Sequence, residues 1–344
     1  MINQIIAPPS KTSRQSGIEL LRIVSMLFVV LMHINGFSNL DPRTHDMATI
    51  NPLFSGSRFL LQSIVIVGVN VFILISGWFS IKANIKGLLK FVFQVVFLYF
   101  LVYLILVALG LRPMSASHLL SCLTLGYWFV HAYLILYILS PILNAFTEHA
   151  SKNTFRNVII IFLVYQTVYG WIKAVSESIH MGYSPISFIW LYLLARYIRM
   201  YGETILKWNS SRFLLIIIGS VLINTCAAFV LSWLGKGDMV ELVYYYCNPL
   251  LIIQSLCILV LFSRMTFQSR FVNWVAGSCF AVYLIHMHPM VRDYFFEAVS
   301  RIWQMPSMGK LTLYFLVLTL AIYIVSILVD KLRIVVWNLV SKRL

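Results

Sequence analysis

Charge is scarce in this sequence, and acid scarcest of all. Of 344 residues, 11% are charged and only 11 are Asp or Glu. A soluble domain carries about a quarter, so a chain wetted on all sides is excluded. Cysteine is sparse and scattered. Cys122, Cys226, Cys247, Cys257 and Cys279 form no CxxC pair, and an odd, dispersed set argues against a disulfide framework. No His/Cys/carboxylate spacing suggests a metal site, and no metal is expected. No internal repeat and no inverted halves stand out, which weakens a transporter reading, since many transporters are built from such repeats.

What is abundant is apolar. Residues of the apolar and aromatic types make up 60% of the chain. They gather in runs close to the ~20 residues that cross a hydrocarbon layer. The expected fold class is therefore all-α, a polytopic transmembrane bundle of ten spans. These are residues 18–38, 59–80, 88–110, 118–145, 156–172, 184–201, 212–234, 242–263, 271–291 and 311–337. Residues 1–17 read as a cytoplasmic tail, 18–338 as one membrane domain and 339–344 as a second cytoplasmic tail. The first run lacks an A-x-A site and reads as a retained anchor, not a cleaved signal.

The net charge of +15 does not point to nucleic acid, because the cations form no face or arm. They sit between spans and set orientation. With the N-terminus inside, 18 of the 26 Lys and Arg fall on the cytoplasmic side and 8 on the other. Both termini are then cytoplasmic. The outer connections 39–58 and 292–310 are long enough to shape a site, or are plain links.

Ionisable groups inside a membrane helix are costly, so they are functional candidates by default. The first span carries three: Glu19, Arg22 and His33. Arg22 and His33 are 11 positions apart. That is three helical turns plus ~20°, with a rise of ~16 Å. They share a face, Glu19 is placed to pair with Arg22, and Met26 and Val29 complete the stripe. Arg22 is expected near the cytoplasmic headgroups and His33 in the outer half.

The run SRQSGIELLRIVSMLFVVLMHINGF resembles the opening of the membrane-bound acyltransferase-3 family. These are bacterial multi-span enzymes that acylate, most often O-acetylate, cell-surface sugars. The family pattern of an acid, an arginine and a later histidine falls on Glu19, Arg22 and His33, with Glu in place of the commoner Asp. Three further stretches are similar to family segments. They are GVNVFILISGWFS with Ser76-Gly77, YWFVHAYLILYILSPILN with Tyr127, Trp128, Tyr133 and Pro141, and GSCFAVYLIHMHPMV with Tyr283 and His286.

The resemblance implies an acyl-CoA donor, usually acetyl-CoA, arriving from the cytoplasm. It implies a surface glycan or lipid-linked sugar as acceptor, and the bacterial inner membrane as location. Acyl transfer to an alcohol needs a base, and histidine suits that task near neutrality. His33 is the expected base, with Arg22 and Glu19 organising the donor side. Arg22 is also a candidate for the CoA phosphates, since its planar fork suits them. Ser76, Tyr127, Trp128 and Tyr133 are candidates to stabilise the oxyanion, and Tyr283 and His286 stand with them as substrate or oxyanion candidates.

Lys82, Lys86 and Lys90 recur every four residues. They are either a phosphate cradle for CoA or an anchor of the positive-inside kind, and Arg196 and Arg199 pose the same choice. Tyr244, Tyr245 and Tyr246 either stack on a sugar or sit in an interfacial belt. His131 reads as a core histidine, and His45, His118, His149 and His180 carry no signal. A transporter or flippase of lipid-linked sugars, or a polysaccharide polymerase, is the alternative. The first should show mid-membrane carboxylates or interrupted helices, the second a large outer loop.

Overall fold

The computed structural model describes residues 14–37, 40–121, 126–305 and 307–343. Residues 1–13, which include most of the expected N-terminal tail, lie outside the described residues, as does Cys122. The protein is 80% helix, and the described residues contain no strand.

The helices in chain order are α1 (Ser16–Gly36), α2 (His45–Ile50), α3 (Pro52–Val65), α4 (Gly68–Phe79), α5 (Ile85–Ala108) and α6 (Ala116–Ser121). Then come α7 (Trp128–His149), α8 (Lys152–Tyr165), α9 (Pro185–Tyr201), α10 (Glu203–Leu206), α11 (Ser210–Trp233) and α12 (Val240–Val243). The last are α13 (Pro249–Ser263), α14 (Arg270–Ala276), α15 (Cys279–His286), α16 (Arg292–Trp303) and α17 (Met308–Val340). Local chemistry marks many of the starts. Asn51-Pro52, Ser184-Pro185 and Asn248-Pro249 each place a capping side chain before a proline in the first turn. The cap satisfies an orphan N–H, and the proline needs none there.

Seven helical runs are long and apolar enough to cross a membrane, counting Pro52–Phe79 as one run. The other three expected spans correspond to shorter elements. They are α9 with 17 residues, α13 with 15, and the interrupted pair α14 and α15. Several boundaries differ from expectation. The second span begins at Pro52 and turns at residues 66–67. The fourth begins at Trp128, not 118, and continues to His149. The eighth is cut short because Asn248-Pro249 restarts the helix. The ninth breaks at Gly277-Ser278 and stops at His286, just ahead of Pro289, which disfavours helix in the residue before it.

Helix α1 is the hub, packed against α3, α4, α13, α14, α15 and α17. Two glycines permit the closest approaches. A Cβ at Gly68 would lie 2.8 Å from the Ser25 carbonyl of α1. A Cβ at Gly77 would collide with the Tyr192 backbone, so α4 and α9 meet backbone to backbone there. The outer face of the bundle is the reverse of a soluble protein, with Ile161 70% and Leu215 68% exposed. Several polar side chains are turned inward and bonded to backbone on neighbouring segments, away from lipid. Asn70 Nδ2 donates to the Tyr246 carbonyl at 2.9 Å, and Gln254 Nε2 to the Ser63 carbonyl at 3.1 Å.

The two ends of the bundle separate the charges. At one end Arg14 meets Asn273, Lys331 meets Trp274, Lys86 meets Ser341, and Arg264 meets Leu206 and Trp208. At the other, Arg43 bridges Asp41 and Glu241, and His45 Nδ1 meets the Trp233 carbonyl. The first end gathers cations that the charge pattern assigned to one side, and the second end gathers the acidic connections.

Candidate active site

A cavity of about 940 Å³ runs beside α1. Arg22, Met26, Val29 and His33 all line it, so the stripe read from helical spacing is its wall. At the Arg22 end stand Gln94 and Cys279, with the aromatic walls Phe91 and Phe280 stacked at 5.6 Å. Beyond His33 the lining turns to tyrosine and charge: Tyr183, Tyr244, Tyr245 and Tyr246, then Asp41, Arg43 and Glu241. One space thus joins a basic end, a largely apolar middle and a hydroxyl-rich far end.

Arg22 is held by Glu19. Its Nη1 donates to Glu19 Oε1 at 2.5 Å, while Glu19 is itself buried. The pair is the i,i+3 geometry expected on one helical face. It fixes the guanidinium, while the residue stays about a third exposed on the cavity wall.

His33 has a partner that the sequence does not pair with it. Its Nδ1 lies 2.9 Å from Nε2 of His286, and the two rings sit 5.1 Å apart. His286 Nδ1 in turn lies 2.5 Å from the Val282 carbonyl. His286 is 2% exposed and is not part of the cavity wall; it stands behind His33. His288 is turned elsewhere, its Nε2 3.3 Å from the Tyr99 carbonyl. The two histidines face different neighbours because α15 ends at His286 and His288 lies beyond the helix.

The other expected residues divide. Ser76, Trp128, Tyr133 and Tyr283 line the cavity with His33. The Ser76 hydroxyl donates to the Phe72 carbonyl at 3.1 Å and lies 3.3 Å from the Tyr133 hydroxyl. Tyr127 is buried off the cavity, donating to the Leu284 carbonyl at 2.7 Å, where it ties α7 to α15. Lys82, Lys86, Lys90, Arg196 and Arg199 do not line the cavity. Lys86 reaches the Ser341 carbonyl at 3.2 Å, and Arg199 donates to the Trp78 carbonyl and lies over the Trp78 and Phe79 rings. Among the described residues no cluster of three His, Cys, Asp or Glu is arranged to hold a metal.

Sequence reasoning passed over several lining residues. His180 and Met181 stand on the wall with φ of 44° and 58°, a left-handed conformation uncommon outside glycine. Such strain clusters at functional sites, but it cannot be read from residue type. Trp128, Tyr183 and Tyr246 form a ring cluster at the end away from Arg22, with centroids 4.8 Å and 4.7 Å apart along the chain of contacts.

The rim farthest from Arg22 is charged and clamped. Asp41 accepts from the Arg43 backbone N–H at 2.9 Å and from its guanidinium at 3.0 Å. Burial alone would raise the Asp41 pKa, but the Arg43 hydrogen bonds and the nearby Arg43 and Arg58 charges outweigh it and hold it below the usual value. Arg43 is pushed up, chiefly by its hydrogen bond to Asp41.

A family model described as an acyltransferase domain matches residues 15–331. The chain belongs to the membrane acyltransferase-3 family. Neither a curated protein nor a solved structure matches it. The family match spans the stripe on α1, the cavity and the late His286 segment alike. It makes this protein a membrane acyltransferase, and the transporter, flippase and polymerase alternatives are not what the family model describes.

Proposed function

We propose that this membrane acyltransferase O-acetylates a hydroxyl of a surface glycan or lipid-linked sugar, using acetyl-CoA. The observation that carries the reading is that Arg22 and His33 line one cavity. The ~16 Å rise between them is of the order of an extended pantetheine arm. Arg22, steadied by Glu19, offers its remaining N–H groups to the CoA phosphates. The apolar middle, with Phe91 and Phe280, suits the arm. Lys82, Lys86, Lys90, Arg196 and Arg199 stand off the cavity and act at longer range, raising the local concentration of an anionic donor.

On the far side of His33 the tyrosines and Trp128 suit a sugar, offering ring faces and hydroxyls. His33 takes the proton from the sugar hydroxyl as its oxygen attacks the thioester carbonyl. The Tyr133 hydroxyl, which can give up its contact with Ser76, donates to the oxyanion. The tetrahedral intermediate collapses, CoA leaves as thiolate, and the proton on His33 passes to that sulfur. The charge distribution supports placing the Arg22 end in the cytoplasm of a bacterial inner membrane, with both termini inside and the acceptor outside.

The test is to supply radiolabelled acetyl-CoA to membranes holding wild-type protein or His33→Ala. Label reaches the glycan fraction with wild type only. Equal transfer by both sinks the role of His33. Arg22→Ala raises the KM for acetyl-CoA, and an unchanged KM removes Arg22 from the donor site.

A further inference from the structure

The contacts around His33 define which of its nitrogens carries a proton. The Val282 carbonyl can only accept, so His286 Nδ1, 2.5 Å away, must carry a hydrogen. A neutral His286 then has a bare Nε2, which can only accept. His33 Nδ1 lies 2.9 Å from that atom and must therefore be the donor. A neutral His33 with its proton on Nδ1 has a bare Nε2, and Nε2 has no hydrogen-bond partner among the described residues. No other arrangement of protons on the neutral pair satisfies all three atoms.

We propose that His286 is a positioning residue that holds His33 in the tautomer with a proton on Nδ1 and a lone pair on Nε2, ready to take the acceptor proton. The proposal rests on the reading of His33 as the base. His286 touches no substrate itself, since it is fully buried behind His33 and off the cavity wall.

Its ring is built to stay where it is. It is the last residue of α15, and its Nδ1 is tied one turn back to Val282. Phe295 packs edge-on at 5.4 Å, and Tyr283 stands edge-on at 6.3 Å. The break at Gly277-Ser278 and the stop before Pro289 make α15 a short rod that brings this ring to α1. His288, two residues on, shows the opposite assignment. Its Nδ1 accepts from the Met290 N–H at 3.1 Å, so its Nε2 donates to the Tyr99 carbonyl. The two neighbours are therefore fixed in different tautomers, and only His286 presents an acceptor to His33. When His33 takes the acceptor proton, its Nδ1–H still points at His286, and the new charge is shared across that hydrogen bond. An orienting partner behind a base is the general logic of activated nucleophile systems.

Two measurements test it. The first follows CoA release from acetyl-CoA in membranes containing wild type, His33→Ala, His286→Phe or His286→Gln. Phe keeps a ring but offers no acceptor; Gln offers a carbonyl oxygen at nearly the reach of Nε2. The expected result is a kcat at least about 100-fold lower in His286→Phe, the lower end of what a positioned base contributes, with KM for acetyl-CoA unchanged. His286→Gln recovers at least about a tenth of the wild-type kcat. Wild-type kcat in His286→Phe beside an inactive His33→Ala overturns the positioning role alone. Wild-type turnover by His33→Ala overturns the base reading instead. Equal losses in His286→Phe and His286→Gln also count against the proposal.

The second measurement needs no folded His286 variant. Ring-¹⁵N histidine spectra of wild-type protein in nanodiscs are recorded, with the His33 signals assigned by their loss in His33→Ala. The expected pattern is protonated Nδ1 and bare Nε2 for His33. A His33 protonated on Nε2 overturns the proposal.

Discussion

Arg58 holds Asn35 from two directions, through its side-chain oxygen at 3.2 Å and through its backbone carbonyl. A third donor of the same guanidinium meets the Leu40 carbonyl at 2.6 Å, and the Trp303 ring lies 4.3 Å beneath it. Asn35 is two residues beyond His33, so this cluster fixes the end of α1 that carries the candidate base. Arg58→Ala takes this donor from the two buried Asn35 acceptors, at a cost of about 1–3 kcal/mol each before relaxation. The expected outcome is a large drop in melting temperature in detergent. Arg58→Lys recovers only part of it, because an ammonium cannot reproduce the fork. A wild-type melting curve for Arg58→Ala rules the cluster out as a stabilising element.

The two glycines Gly77 and Gly219 should respond in opposite ways. Alanine at Gly77 pushes into the Tyr192 backbone, while nothing lies within 4 Å of a Cβ at Gly219. Gly219 sits inside α11, where glycine costs roughly 0.5–1 kcal/mol relative to alanine. Gly219→Ala is expected to raise thermal stability slightly. Gly77→Ala is expected to lower it and to reduce the yield of folded protein. Similar melting shifts for the two would show that α4 and α9 do not meet as described.

Asp330 and Arg333 form an ion pair at 2.7 Å, and both are essentially unexposed. Gln94 adds a donor to Asp330 at 3.0 Å. Breaking such a pair from one side costs about 3–5 kcal/mol, whereas replacing both partners by apolar residues is often close to neutral. Asp330→Asn should therefore destabilise more than the double variant Asp330→Leu/Arg333→Leu. Chemical or thermal denaturation of the three proteins compares them directly, and a double variant less stable than Asp330→Asn would contradict the prediction.

The outer clamp gives a pH dependence. The Asp41 pKa is held below its ordinary value of 3.8. A depressed carboxylate contributes stability that is fully present above its unfolded pKa and lost as pH falls through its folded one. The Asp41 contribution should thus be intact above about pH 4–5 and fade below. Asp41→Asn should remove that acid-side slope. Melting temperature against pH for the two proteins reads it out; parallel curves would exclude Asp41 as its source.

Much of α1 was legible because a straight helix converts spacing into direction. Arg22, Met26, Val29 and His33 needed only a turn of 3.6 residues to be placed on one wall. The runs of apolar residues likewise located a helix for each expected span. What could not be read was set by distance along the chain. His33 and His286 meet across 253 positions, and the breaks that aim α15 depend on tertiary packing around Gly277-Ser278. Arg58 looked like a charge in a connection, since a polar start hides the first turns of α3. Lys82, Lys86 and Lys90 recur every four residues, but α5 starts only at Ile85, so Lys82 lies outside it, and neither these three nor Arg196 and Arg199 line the cavity. Tyr183 and Tyr246 belong to separate loops and came together only in the fold.

The single space shared by Arg22 and the outer rim has a consequence for the membrane that holds it. Under the proposed reaction, each acetyl group that travels outward is matched by one proton that travels inward, from the sugar oxygen to the sulfur of CoA. The enzyme is then an exchanger as well as a catalyst, trading an acyl cation equivalent for a proton. The charges cancel, so the voltage across the bilayer does no net work on the cycle. A pH difference across the bilayer does none either, since the hydrogen moves from a bound hydroxyl to a bound sulfur and neither aqueous phase gives up or receives a free proton.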